Sequence, residues 1–187
     1  MNTKTITRFG LLASVALVLG YFERFIPIAH GLPGVKLGLA NTVLLYALYL
    51  MNTKSAFGLM LIKVVMSGIL FAGVSGMIYS FAGGLLSIVM MIVMKKFVDT
   101  SIVGVSIIGA VFHNVGQLLV ASMVVQTKGL LFYMPILLIS AIITGVLTGV
   151  TAKHVFKGLS AAHFTIPNSH NNHHKTADEM LSNNEDS

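Results

Sequence analysis

A chain of 187 residues that is 55% hydrophobic and only 10% charged, with a mean hydropathy of +0.86, is too poor in charge for a soluble domain. Its formal charge of +6 does not point to nucleic acid, because the basic residues sit in short gaps between apolar runs, where membrane orientation signals belong. With no cysteine, disulfides, thiolate metal sites and cysteine nucleophiles are excluded.

Crossing the hydrocarbon takes about 20 apolar residues as a helix. The first run, 8–26, follows Lys4 and Arg8 in the manner of a signal peptide. No small-residue cleavage site follows it and further apolar runs do, so it is expected to stay as a first span. Cuts at charges, turn residues and glycine pairs place further spans over 35–51, 55–74, 76–94, 102–126 and 130–153, with Ser75 and Gly76 turning between the third and fourth. The connections are short, so neighbours in sequence are expected to be antiparallel neighbours in space. The expectation is an all-α integral membrane protein: a six-transmembrane-helix bundle over residues 1–158, followed by a polar tail over 159–187. That tail ("NSHNNHHKTADEMLSNNEDS") has almost nothing to bury and is expected to be disordered. Its His170, His173 and His174 are read as solvated and not as a metal site. The recurrence of "MNTK" at 1–4 and 51–54 is read as chance.

With the N-terminus inside, the cytoplasmic segments hold Lys4, Arg8, Lys54, Lys95, Lys96, Lys153, Lys157 and Lys175. The opposite side holds Arg24, Lys36 and Lys128, and Lys63 lies within a span. This bias places both termini in the cytoplasm of a multi-pass plasma-membrane protein. Small residues at four-residue spacing mark close helix contacts in lipid. Ala141, Gly145 and Gly149 on span six are read as packing within the bundle. Gly10 with Ser14, and Ala16 with Gly20, put similar pairs on span one.

Polar groups at membrane depth are costly and normally face the protein interior. Lys63 lies midway along span three, and His113, Asn114 and Gln117 lie midway along span five, spaced to share one helix face. Asn41 falls roughly 9 Å below the outer end of its span and Gln117 roughly 13 Å below its own. With Lys36 at the outer end of span two, these groups occupy the middle and outer half of the bundle. That is the distribution of a cavity opening outward and suited to negative charge. The plainer alternative is interhelical hydrogen bonding without a ligand. No phosphate-binding loop of the Gly-Lys-Ser/Thr kind, no His-Glu-x-x-His, no Gly-x-Ser-x-Gly and no aspartate pair for magnesium is present, so catalysis by this chain alone is not expected. No cofactor or metal is expected either.

Three segments carry a resemblance: "LGYFERFIP" at 19–27, "LPGVKLGLANTVLLYAL" at 32–48 and "GAVFHNVGQLLVA" at 109–121. Over about residues 6–158 the chain resembles the Gx transporter family, also described as heptaprenyl diphosphate synthase component I. That family is similar in turn to the substrate-binding S components of energy-coupling factor transporters. The resemblance implies six helices with cytoplasmic termini and an outward pocket covered by the loop after span one, here "IPIAHGLPGVK". It also implies docking through small residues of span one onto a coupling membrane protein shared with two ATPases. The usual Ala-x-x-x-Ala pattern is not met, since Ala13 is followed four residues on by Leu17; Gly10/Ser14 and Ala16/Gly20 stand in its place. The leading expectation is therefore an S-component-like subunit of a small-molecule uptake transporter, binding its ligand through Lys36, Asn41, Lys63, His113, Asn114 and Gln117. Two others stay open: a non-catalytic accessory subunit working with a soluble prenyltransferase in isoprenoid and quinone synthesis, and a membrane component of an electron-transfer system.

Overall fold

The computed structural model describes residues 3–22, 39–98 and 100–161. Every regular element among them is helical: α1 (Thr3–Phe22), α2 (Leu39–Leu50), α3 (Thr53–Ser67), α4 (Gly73–Phe97), α5 (Ile102–Val124) and α6 (Met134–Ala161). A π-helical turn over Gly68–Ala72 joins α3 to α4, and a 3₁₀ turn over Lys128–Tyr133 leads into α6. Counted as unbroken helical runs, the described residues give five. Four apolar stretches are long enough to cross a membrane, one of them the 45 residues Thr53–Phe97. The fifth, Asn41–Leu50, is shorter. Lys36 and the loop expected to cover the pocket lie outside the described residues, as do the histidine-bearing tail and Glu23, the one acidic residue near the outer side that the sequence offers to neutralise Lys63.

The local signals are visible in the chain. Asn52 caps α3 by accepting from the Ser55 N–H at 2.8 Å, and Ser101 caps α5 by accepting from Gly104 at 3.2 Å. Pro135 sits in the first turn of α6, where its missing N–H costs nothing. The turn expected at Ser75 and Gly76 is corrected: both lie inside α4, and the chain reverses at Gly73, whose φ of +68° is open to glycine at no steric cost. Reversal is evident from side-chain pairing. A methyl on Gly84 would stand 3.1 Å from Met60, and one on Gly68 would stand 2.8 Å from Met77, as two antiparallel helices require.

Similar pairings fix the remaining directions. Phe9 of α1 lies against Gly58 and the Tyr21 ring lies 5.4 Å from Phe71, so α1 runs parallel to α3. Gly83 of α4 meets His113 and Gln117, and Gly109 of α5 meets Met91, an antiparallel pair. Gly145 and Gly149 of α6 meet the backbone of Ile107 and Val103, a second antiparallel pair. The small-residue stripe on α6 is thus spent within the bundle, with Ala141 1% exposed. α5 packs most extensively against α4 and α6, while α1, α2 and α3 pack on one another. This arrangement gathers Arg8, Lys54, Lys95, Lys96, Lys153 and Lys157 at one end of the bundle.

Burial is inverted relative to a soluble protein. Along α4, Val74, Ile78, Phe81, Leu85 and Val89 are exposed at helical spacing, as are Ile136, Ile139, Ile143 and Leu147 on α6. Ser87, Ser106, His113, Asn114, Gln117, Thr144 and Thr148 are buried. Such an exterior is stable against hydrocarbon and not against water, as expected of a multi-pass membrane protein.

Candidate functional site: a polar interior between the helices

Helix α2 is the most enclosed element. Val43, Leu44, Leu45, Ala47 and Leu48 are all at most 1% exposed. Two lysines from neighbouring helices hold it. Lys63 Nζ of α3 donates to Asn41 Oδ1 at 2.7 Å, and Lys95 Nζ of α4 donates to the Leu48 carbonyl at 2.6 Å. The second bond satisfies an orphan carbonyl at the C-terminal end of α2 and places a positive charge where the helix dipole favours it. The same ammonium lies 4.6 Å from the centre of the Tyr49 ring, and Tyr46 and Tyr49 both pack on Phe156 of α6. From the sequence Asn41 and Lys63 are both expected to face one cavity, without a bond between them, and Lys95 has no role beyond orientation.

The three polar residues of α5 divide between two neighbours. His113 and Gln117 face α4, where only a hydrogen at Gly83 leaves room: a methyl there would lie 2.5 Å from the His113 carbonyl and 3.2 Å from Gln117 Cβ. Asn114 turns the other way and donates to the Leu137 carbonyl of α6 at 3.2 Å. The expectation of one shared face is therefore corrected. The residues are three and four apart, but the tight crossing at Gly83 claims one side of α5 and the start of α6 claims the other. Among the described residues Gln117 Oε1 is buried with no hydrogen-bond partner.

A second polar cluster, of which only Asn41 was singled out from the sequence, lies nearby. Asn41, Ser87, Ser106, Thr144 and Thr148 line a cavity of about 10 Å³ between α2, α4, α5 and α6. That is room for roughly one water molecule. Ser106 and Thr148 hydrogen-bond at 2.7 Å, and Ser87 Oγ, fully buried, has no partner among the described residues. The signal was present but weak: Thr144 and Thr148 stand four apart beside the glycines of the α6 stripe. Serine and threonine in apolar helices usually bond to their own backbone, so they carry little information alone.

On α1 the small residues split. Gly10 faces open space, with nothing within 4 Å of a methyl placed on it, and Ser14 beside it is exposed and bonds back to the Gly10 carbonyl at 3.0 Å. Ala13 is half-buried against the core and Gly20 partly so. Ala16 is 1% exposed, so its assignment to a partner-docking face is corrected: it belongs to the interior of this bundle.

The interior can bind and orient a polar group. It offers neutral amides and hydroxyls, one imidazole and one ammonium. All six acidic residues, Glu23, Asp99 and the four after position 170, lie outside the described residues. No group of three or more histidine, cysteine or acidic residues suited to a metal occurs among the described residues.

A family model described as heptaprenyl diphosphate synthase component I matches residues 12–155, more than three quarters of the chain. No curated protein matches, and no solved structure does.

Proposed function

Because the chain belongs to the heptaprenyl diphosphate synthase component I family, we propose that it is the non-catalytic membrane subunit of a two-part prenyl-elongating system. The observation that carries this reading is the chemistry of the interior. Elongation of an allylic diphosphate needs carboxylates to hold magnesium, and the described residues, which make up the helices, include none. The reacting groups must then come from a soluble prenyltransferase partner, with this chain supplying an anchor beside the lipid into which a long apolar product would pass. The gathered lysines at one end support the orientation: six spans, both termini cytoplasmic, in the plasma membrane, with that end facing the partner.

The test is reconstitution. Membranes containing the chain should recruit a prenyltransferase encoded by the same cell and raise its output of long-chain diphosphate. Unchanged output and unchanged location of that enzyme in cells lacking the chain would refute the reading.

A second reading, a substrate-binding subunit of an uptake transporter, is supported by one observation: the buried Gln117 Oε1 without a partner among the described residues. In that reading Lys36, Asn41, Lys63, His113, Asn114 and Gln117 contact a small anionic ligand. Gly10, Ala13, Ser14 and Gly20 of α1 then meet a coupling protein served by two ATPases. Copurification with two ATPases in place of a prenyltransferase would favour it.

A further inference from the structure

The cavity between α2, α4, α5 and α6 can be assigned an occupant from its hydrogen-bond accounting. Its walls come from both halves of the bundle, Asn41 from the α1–α3 group and Ser87, Ser106, Thr144 and Thr148 from the α4–α6 group. Space exists because Gly109 carries no side chain: a methyl there would sit 3.4 Å from Ser87 Oγ and 2.7 Å from Met91 Sδ.

The protons on the walls are largely committed. Asn41 Oδ1 accepts from Lys63, which fixes the amide orientation and leaves Nδ2 as a donor. Thr144 Oγ1 donates to the Ser140 carbonyl at 2.9 Å, keeping only lone pairs for other partners. Thr148 Oγ1 and Ser106 Oγ share a bond of 2.7 Å in which either can donate, with the Gly145 carbonyl 3.2 Å from Thr148 Oγ1 as a second acceptor. Ser87 Oγ, 0% exposed and unpartnered among the described residues, can give or accept.

An occupant must therefore both accept from an amide and donate to hydroxyl oxygens. A bare cation cannot accept a proton, and it would meet the ammonium that already holds Asn41. An anion would face the lone pairs of Thr144, whose proton goes to the Ser140 carbonyl. We propose that the cavity binds one water molecule, which satisfies Ser87 and joins the Lys63–Asn41 pair of one half of the bundle to the hydroxyls of the other. Buried water of this kind makes about three hydrogen bonds and is costly to remove.

Three measurements on the full-length protein test this. A structure at a resolution that shows solvent should have a single ordered peak within hydrogen-bond distance of Ser87 Oγ; a dry cavity overturns the proposal. In thermal unfolding, Ser87→Ala and Thr144→Val should each lower the midpoint, and the double variant should lose clearly less than the sum, because both act on one shared water. Strictly additive losses overturn it. Finally, the midpoint should be the same in sodium chloride and in choline chloride at equal ionic strength. A rise specific to sodium would replace the water with a cation.

Discussion

Asn41 and Gln117 are both buried amides, yet they stand in opposite situations. Asn41 receives a short bond from an ammonium, so Asn41→Leu removes the acceptor and leaves the Lys63 charge worse compensated at membrane depth. Interhelical bonds of this type are worth about 1–2 kcal/mol, and a loss of that size is expected in reversible unfolding in detergent. Gln117 Oε1 has no protein partner among the described residues, so it contributes desolvation cost without a matching bond. Gln117→Met, close in shape, should therefore raise the unfolding midpoint. If the residue serves a ligand or partner, the same change should lower the activity measured in reconstituted membranes; stability gained with activity intact would make it ordinary packing. Hydropathy made it legible in the sequence that Asn41 and Lys63 lie within apolar runs, but not that they bond to each other, which depends on how α2 and α3 pack. The direction in which His113, Asn114 and Gln117 divide was not legible. It depends on Gly83 admitting α5 so closely, and a glycine in an apolar run gives no sign of which neighbour will use it.

At the scale of elements, glycines decide how close the helices lie. Methyls on Gly83, Gly116 or Gly145 would strike backbone atoms at 2.5, 2.9 and 2.6 Å, and backbone cannot give way without moving a helix. Each change to alanine should cost about 1–3 kcal/mol in unfolding free energy. Gly10→Ala meets nothing and should shift stability by less than about 0.5 kcal/mol. The contrast separates packing glycines from one that faces outward. Gly73 is a third case: its surroundings are open, but its φ of +68° with ψ of 179° is a combination almost confined to glycine, so Gly73→Ala should cost roughly 1–3 kcal/mol through backbone strain alone. The sequence reading found the α3–α4 reversal within a few residues because "AGVSGM" is rich in small residues. It chose the wrong glycine, since Gly73 and Gly76 differ only in backbone angle, which composition does not carry. It read the α6 stripe correctly because four-residue spacing of small residues has one simple use in a bundle.

For the whole molecule, the basic end and the apolar exterior make a prediction about orientation that needs no knowledge of function. The chain has no native cysteine, so single introduced cysteines report cleanly. In intact cells a membrane-impermeant maleimide should leave Ser101→Cys unlabelled until the membrane is opened, and should label Thr127→Cys at once. The reverse pattern would place the lysine end outside and remove the basis for a cytoplasmic partner. At this scale the all-helical, apolar character was the most legible from sequence, because apolar run length is an average over many residues. The polar cavity was the least legible, because it arises where four helices from both halves meet.

The two fastenings of α2 also bear on how the protein is made. Lys63 follows its acceptor by 22 residues and Lys95 follows its own by 47, while the aromatic contact from Phe156 comes near the end of the described chain. A ribosome delivers α2 long before any of these holds it, so the most enclosed helix of the finished bundle spends much of synthesis unsecured. Chains truncated after α3 should leave α2 open to protease in membrane-insertion assays, and those carried through α6 should protect it. The centre of the molecule is in this sense closed last, by helices that arrive after it.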